Sequence, residues 1–181
     1  MEKHAKEDYY NTPKYALIEL IDGDFYQRVH PGIAHQDLLG EIMCQIMDKC
    51  DQSAGKLHMM PGPVALELGK RTIVEPDLMI FTDRKIIAER CIVKVPDLIM
   101  EITSPEDLYH DYVTKLKLYM DANVKEYWLI NPEKRTAVIY CFEEDNTHVD
   151  VFEFDTTIYS RMFPEICLEI ADWNVDYLNK S

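Results

Sequence analysis

Two carboxylates embedded in apolar sequence are the residues best suited to chemistry in this chain. Asp77 follows a proline in the run EPDLMIF, and Glu101, 24 residues later, stands near the end of the run PDLIMEI. Runs this apolar are typical of strands buried on both faces, where a carboxylate is costly unless it is paired or binds a cation. Two such carboxylates on neighbouring strands supply the oxygen ligands that Mg²⁺ prefers. The pattern therefore predicts a metal site formed by Asp77 and Glu101.

A basic residue follows on the next predicted helix, DLYHDYVTKLKLYMDA. Asp111, Lys115 and Tyr119 are spaced four apart and share one ridge of that helix. At the α-helical rotation per residue, Lys115 lies about 40° from Asp111, whereas Lys117 lies about 200° from Lys115. Lys115 can therefore project toward the end of the Glu101 strand and present its charge to a phosphate or a metal-bound water. Taken alone, the Asp111–Lys115 spacing also fits an ordinary helical ion pair, and Tyr119 fits packing on the sheet.

Simpler explanations also exist for the acids. Asp77 or Glu101, taken alone, fits a carboxylate at a strand edge or a helix cap. A second Pro-Asp pair ends in Asp97, which lies four residues before Glu101 and so on the same face of that strand. We interpret Asp97 as the residue that starts the strand, and leave open a role as a metal ligand. The occurrence of two acids and one basic residue at a single strand–helix junction favours a functional site over these simpler explanations.

The elements that must position these residues follow from periodicity and from turn residues. Asp22-Gly23 predicts a hairpin within KYALIELIDGDFYQRV, and the apolar spacing of HPGIAHQDLLGEIMCQIMDKC predicts an amphipathic helix. Ser104-Pro105 is predicted to open the second helix, and Asn123 to end it. Strands are predicted at LHMM, VALEL, TIVEPDLMIF, PDLIMEI, EYWLI, TAVIYCF and VDVFEF, with a short strand and a helical turn in PEICLEIADW. This order predicts one domain over residues 1–181, of the α/β (α+β) class with a mixed sheet.

The charge balance limits the possible partners. The 181 residues carry 33 acidic and 19 basic side chains, a formal net charge of −14, which disfavours a protein that coats nucleic acid non-specifically. Ten acidic and two basic residues fall in 141–181, so this tail carries −8 and the remaining 140 residues only −6. A local basic groove or an acidic metal site remains compatible with this distribution.

The sequence also indicates the compartment. No apolar run approaches the length of a membrane span, and the polar start MEKHAKEDYY does not fit a signal peptide. The five cysteines are scattered without a CxxC pair and are expected to be free, mostly as small buried apolar residues. We therefore expect a cytoplasmic protein without a membrane partner.

The segment EPDLMIF…VPDLIMEITSPEDLYHDYVTKLKLYMDANVKEYWLINPEKRTAVIY resembles the Uma-type restriction endonuclease family, a branch of the PD-(D/E)xK nuclease superfamily. The resemblance covers about residues 15–172 and includes LIDGDFY near the start and PEICLEIADW near the end. It implies a restriction-endonuclease-like fold, with a mixed central sheet flanked by helices. It also implies Mg²⁺-dependent phosphodiester hydrolysis, with Mn²⁺ as a substitute metal, nucleic acid (DNA in the first place) as substrate, and a homodimer as a possible assembly.

Carried onto this sequence, the resemblance makes Asp77 the motif aspartate and Glu101 the second acid. The superfamily's usual lysine, two residues after that acid, is Thr103 here, and Lys115 matches a position to which relatives have moved it. Supporting roles fall to Asp111 and Tyr119 on the Lys115 ridge. The resemblance further suggests Glu41 as an additional metal ligand. His35 and Gln36, which precede the apolar stripe of the first helix, either reach the cleft or a phosphate or simply lie near the helix start. The alternative is a non-catalytic module on the same fold, dimeric or nucleic-acid-binding.

Overall fold

The structure is a computed structural model that describes residues 3–13, 16–105, 108–144 and 146–173. Three helices fall in these ranges, together with a 3₁₀ turn at Arg84–Ile86 and a π-helical stretch at His110–Lys115. The helices are α1 (Lys6–Tyr10), α2 (Ile33–Gln52) and α3 (Leu116–Asp121). The strands are β1 (Ile18–Ile21), β2 (Asp24–Gln27), β3 (His58–Pro61), β4 (Leu66–Glu67), β5 (Ile73–Val74), β6 (Leu78–Phe81), β7 (Leu98–Ile102), β8 (Glu126–Asn131), β9 (Thr136–Glu143), β10 (Asn146–Glu153), β11 (Ile158–Tyr159) and β12 (Cys167–Leu168).

A six-stranded mixed sheet forms the centre, in the order β10-β9-β8-β7-β6-β3. Strands β7 and β8 are parallel, while the other neighbours pair antiparallel. The parallel pair needs a crossover connection, which the segment carrying the π-helical stretch and α3 supplies. The predicted mixed α/β architecture is confirmed.

Both faces of this sheet are covered, which explains the nearly continuous apolar runs of its central strands. Strand β8 is buried along its whole length. One face packs against α2 and the segment that carries β11 and β12, through Leu38, Leu39, Ile42, Ile46, Trp128, Ile130, Ile166 and Leu168. The other face packs against α3 and the β4–β5 region, through Leu66, Val74, Tyr119, Val124, Tyr127 and Leu129. Helix α2 and its apolar stripe were predicted from the spacing, although Met47 at the end of that stripe is half exposed.

The run TIVEPDLMIF is not one strand, contrary to the prediction. It splits into β5, which belongs to a smaller sheet of order β2-β1-β5-β4, and β6 of the central sheet. Pro76 causes the break, because it has no N–H for a ladder and restricts the residue before it. Glu75 and Asp77 therefore lie where the two sheets meet. VALEL likewise forms only the two-residue strand β4.

Gly62 allows the close approach that fixes this break. Its N–H donates to the Asp77 carbonyl at 2.8 Å, and a Cβ atom at this position would lie 2.4 Å from the Pro76 carbonyl oxygen. No real Cβ tolerates that distance, so the position requires glycine. The Pro61-Gly62-Pro63 turn thus sets the backbone from which the Asp77 side chain projects.

The second helix is wider over part of its length than predicted. Residues 108–109 are α-helical, His110–Lys115 are π-helical, and α-helical geometry resumes at Leu116. The rotation of 100° per residue assumed from the sequence therefore does not hold over this stretch. Residues 106–107, within the predicted helix start, lie outside the described residues, whereas Asn123 has the left-handed φ of 62° expected of a terminator.

Smaller features complete the fold. The hairpin at Asp22-Gly23 is confirmed by β1 and β2, and the predicted final helical turn is a single turn in which Trp173 N–H donates to the Ile170 carbonyl. All five cysteines are free, but Cys44 is exposed rather than buried because it lies on the outer side of α2. Within the described ranges, no helix has both the length and the apolar character that crossing a bilayer requires.

A buried carboxylate fastens the C-terminal segment to the central sheet. Glu126, at the start of β8, is fully buried and accepts hydrogen bonds from Trp128 Nε1 at 2.9 Å and Ser160 Oγ at 2.7 Å. The backbone N–H groups of Arg161 and Met162 also donate to it, each at 3.2 Å. Four donors compensate the loss of hydration of this anion.

Glu126→Ala is expected to lower the free energy of unfolding by about 3 kcal/mol, because it leaves buried donors without an acceptor. Urea denaturation at neutral pH measures the change. The control is Glu143→Ala, which removes an exposed carboxylate from β9 and should change stability by less than about 0.5 kcal/mol. Equal stability of the two variants would contradict the role given to Glu126.

Candidate active site

Asp77 and Glu101 meet because their strands run antiparallel. In the β6–β7 ladder Leu78 pairs with Met100, so the next step of the same register places Asp77 beside Glu101. The Asp77 N–H points to Glu101 Oε2 at 3.4 Å. Both side chains are buried where one end of β6 meets one end of β7, two interior strands of the central sheet, which is the juxtaposition predicted from the two apolar runs.

Close contacts position Asp77 through one of its two carboxylate oxygens, Oδ2. Its Oδ2 accepts a hydrogen bond from the Ile102 N–H at 2.8 Å and contacts His35 Nε2 at 3.0 Å. Its Oδ1 faces the guanidinium of Arg28, with Nη2 at 3.6 Å. Burial alone would raise the pKa of Asp77, but the contact with His35, the charge of Arg28 and the Ile102 N–H lower it below its ordinary value. Asp77 is therefore an anion, and its Oδ1 meets Arg28 only at ion-pair distance.

Lys115 is enclosed by carboxylates and is only 2 % exposed. Its Nζ lies 2.9 Å from Glu101 Oε1, 3.2 Å from Glu19 Oε1 and 3.6 Å from Asp111 Oδ1. Burial opposes the charged form, but the three carboxylates outweigh it and raise the pKa of Lys115 above its ordinary value. The side chain is thus a permanent ammonium ion and cannot accept a proton.

Tyr119 completes the surroundings of Glu101. Its hydroxyl donates to Glu101 Oε1 at 2.9 Å, and burial together with nearby charge raises the pKa of Tyr119 well above its ordinary value. Thr103, where the superfamily's lysine would stand, is 2 % exposed and its hydroxyl oxygen has no partner in the part of the chain that the structure describes. The ammonium group beside Glu101 therefore comes from the helix and not from the strand.

Three residues of the β1–β2 hairpin region and the helix start were missed by the sequence reasoning: Glu19, Arg28 and His110. Glu19 is completely buried on β1, and its Oε2 lies 2.9 Å from His110 Nε2. Burial favours its neutral form, but Lys115, His110 and Arg28 bring the pKa of Glu19 well below its ordinary value. The signal was present, since LIELIDGD places a carboxylate in an apolar strand, as EPDLMIF does.

Arg28 lies where the two sheets meet. Its Nη1 donates to the Glu75 carbonyl at 2.9 Å, and its guanidinium stands 3.6 to 3.9 Å from side-chain oxygens of Glu19, Glu75 and Asp77. These separations are ion-pair contacts longer than hydrogen bonds. Arg28 thus supplies positive potential on the Asp77 side, as Lys115 does on the Glu101 side.

Other sequence candidates lie elsewhere. Glu41 and Gln36 are exposed on α2 and are not among the residues lining the pocket; Gln45 Nε2 donates to Glu41 at 2.9 Å. Asp97 stands at the opposite end of β7 from Glu101, where it accepts hydrogen bonds from the N–H and hydroxyl of Thr82. Lys125 also donates to Asp97. Asp97 therefore connects the segments that carry Thr82 and Lys125 through hydrogen bonds, and it does not line the pocket.

The pocket between these groups is small. It encloses about 20 Å³, which is room for about one water molecule. The wall is formed by Arg28, Val29, Pro31, His35, Asp77, Glu101, Ile102, Ser104, His110, Asp111 and Lys115. Seven titratable side chains thus border one space, and the completely buried Glu19 contacts His110 and Lys115 among them.

The charges of the pocket do not balance. Glu19, Asp77, Glu101 and Asp111 face two permanent cations, Arg28 and Lys115. Burial, with the charges of neighbouring acids, raises the pKa of Glu101 and brings that of Asp111 to about 8. The site therefore favours an additional positive charge.

A hard divalent cation fits this donor set. Asp77 Oδ1 faces Arg28 Nη2 at 3.6 Å, which is longer than a hydrogen bond, and Glu101 Oε2 receives the long 3.4 Å approach of the Asp77 N–H. Mg²⁺ commonly takes one or two carboxylates and keeps several waters. The described residues contain no group of three or more His, Cys, Asp or Glu side chains arranged to hold a metal ion.

Comparison with known proteins bears on the family and the fold. A family model described as "Uma2: Putative restriction endonuclease" matches residues 7–171. Comparison with curated proteins gives no match. Among solved structures, the chain is similar to a putative nuclease belonging to DUF820 from Anabaena variabilis, with a TM-score of 0.76 and 21 % identity over 93 % of this chain and 96 % of that one. At this identity the similarity concerns the fold.

The raised pKa of Asp111 predicts a pH dependence of stability in the metal-free protein. Its folded pKa of about 8 exceeds the unfolded value near 3.9, so between these values the folded state holds a proton that the unfolded chain releases. Stability must then fall as the pH rises toward about 8. From pH 6 to pH 9 the wild type should lose about 2.7 kcal/mol through this group.

Asp111→Asn cannot titrate and should show a correspondingly smaller loss. Urea denaturation at both pH values, with a chelator present, measures it. Asp48→Asn, an exposed substitution on α2, should keep the wild-type dependence, and an Asp111→Asn protein with that same dependence would contradict the assignment.

Proposed function

The chain belongs to the Uma2 family, described as "Putative restriction endonuclease", and from this membership we propose that it hydrolyses phosphodiester bonds of nucleic acid, DNA in the first place, with Mg²⁺ as cofactor. One observation carries the proposal: Lys115 Nζ lies 2.9 Å from Glu101, whose strand neighbour is Asp77. The two acids and the ammonium group of Lys115 thus share one pocket, although Thr103 occupies the position where the superfamily usually has its lysine. The chemistry remains complete because the helix supplies the missing cation.

Asp77 and Glu101 would hold the metal through the oxygens that face no close donor. When bound, the ion would polarise the scissile phosphate and lower the pKa of a bound water. Lys115, always protonated, opposes the effect of burial on the pKa of Glu101, and it would stabilise negative charge that develops on the phosphate oxygens. Tyr119 fixes the Glu101 carboxylate, and His35 fixes Asp77.

The charge of the chain bears on substrate binding. The net charge of −14 repels a polyanion, and few cations are available to release counterions. We therefore propose weak, salt-sensitive binding, with the bound metal, Arg28 and Lys115 as the local positive potential. Homodimerisation would be one way to gain a larger binding surface.

Asp77→Asn is expected to reduce cleavage by about 100-fold or more, because it removes a metal ligand and leaves the fold in place. Cleavage of supercoiled, linear and single-stranded DNA and of RNA, with Mg²⁺ or Mn²⁺, measures this. Asp97→Asn is the matched control, since it alters the other Pro-Asp pair and should leave the rate nearly unchanged. Wild-type protein that leaves every substrate intact, or equal rates for wild type and Asp77→Asn, would contradict the proposal.

Mg²⁺ should also raise the melting temperature of the wild type. A ligand at 100 times its dissociation constant stabilises by about 2.7 kcal/mol, and Asp77→Asn should lose this effect while Asp97→Asn keeps it. Thermal denaturation against Mg²⁺ concentration provides the measurement. An inactive protein without a metal-dependent shift would instead support a non-catalytic module on this fold.

A further inference from the structure

The proposed hydrolysis needs a group that accepts a proton from water, and most residues of the pocket cannot do so. Lys115 is an ammonium ion held by three carboxylates, and Arg28 stays protonated in proteins. Tyr119 already donates its proton to Glu101. These three residues supply charge and position, but no base.

Glu101, Asp77 and His35 also cannot act as the base, because their polar atoms have other partners or are out of reach of a water. Glu101 Oε1 accepts from Lys115 and Tyr119, and the remaining oxygens of Glu101 and Asp77 face the proposed metal position. The Nε2 atom of His35 contacts Asp77. Its Nδ1 atom is buried away from solvent and has no hydrogen-bond partner among the described residues. A water in the pocket has no access to that nitrogen.

His110 differs from all of these. It borders the same small pocket, its side chain is 16 % exposed, and its Nε2 lies 2.9 Å from Glu19 Oε2. The Glu19 carboxylate can only accept, so in the neutral imidazole the proton lies on Nε2 and the Nδ1 atom carries the lone pair. A fully buried carboxylate that orients an imidazole in this way is the arrangement that prepares a histidine for proton transfer.

We propose that His110 is the proton acceptor for the attacking water and that Glu19 is its positioning residue, an inference that rests on the proposed phosphodiester hydrolysis. The O–H bond of the water breaks, its proton moves to His110 Nδ1, and its electron pair forms the new bond to phosphorus. The bond from phosphorus to the leaving oxygen breaks, and that oxygen takes a proton from solvent. His110 then returns its proton to solvent.

The surroundings of His110 agree with this role. Glu19 reaches it from β1, and the Tyr26 ring of β2 lies against it with centroids 5.2 Å apart. Asp111 and Lys115 border the pocket from the same helical segment, and Arg28 lies beyond Glu19. Of these groups Asp111 is the competing proton acceptor, so the experiment must separate the two.

The experiment compares cleavage rates of wild type and His110→Gln, with saturating Mg²⁺, from about pH 5.5 to about pH 9.5. His110→Gln should lower kcat by about 100-fold or more with little change in KM, and should remove the rise of kcat on the acid side of the profile. The matched control is His148→Gln, which alters another His–Glu pair (Nε2 3.6 Å from Glu143) on β9–β10. That variant should keep the wild-type rate and profile.

The possible results distinguish the role of His110 from a role of Asp111 and from the proposed hydrolysis itself. An active wild type with His110→Gln within twofold of it, or slowed equally at every pH, overturns the role of His110. Loss of the acid-side rise in Asp111→Asn, with its retention in His110→Gln, assigns the proton to Asp111 instead. A wild type inactive on all substrates overturns the proposed function and this inference with it. Circular dichroism and the Mg²⁺-dependent melting shift of His110→Gln show whether its fold and metal site are intact.

Discussion

A single buried ammonium group organises this protein. Lys115 lies out of contact with water, where an unpaired charge would cost several kcal/mol, and it is tolerated because three carboxylates surround it. Glu19 comes from the smaller sheet, Glu101 from the central sheet and Asp111 from the helix between β7 and β8. Pairing with one cation therefore ties three parts of the fold together at the pocket.

The same arrangement explains how the chain tolerates threonine at position 103. A strand lysine two residues after Glu101 would project from the sheet itself, whereas Lys115 arrives from the helix that follows. The helix carries its own acid, Asp111, and meets another in Glu19, so the pocket holds more negative than positive charge. A site with that imbalance and about 20 Å³ of enclosed space suits a small cation and its water.

The central part of this site was predictable from the sequence, because buried strands and a helical ridge have regular periods. An antiparallel register makes Asp77 and Glu101 neighbours, and Lys115 contacts Glu101 and Asp111 although the turn between Asp111 and Lys115 is π-helical. Glu19 could be recognised as a carboxylate in an apolar strand, but its position beside Lys115, like that of Arg28, could not, since it depends on the break at Pro76 that turns one apparent strand into two. The π-helical stretch His110–Lys115 also has no signal in hydrophobic periodicity.

The central claim is that Asp77 and Glu101 hold a divalent cation while Lys115 remains on Glu101. A crystal structure with Mn²⁺, located by its anomalous scattering, tests this most directly. We predict one ion bound by Asp77 Oδ1 and Glu101 Oε2 at about 2.0–2.2 Å, with the Lys115 ammonium still in contact with Glu101 Oε1. A pocket without an ion at saturating Mn²⁺, or with Lys115 displaced by the ion, would contradict the account.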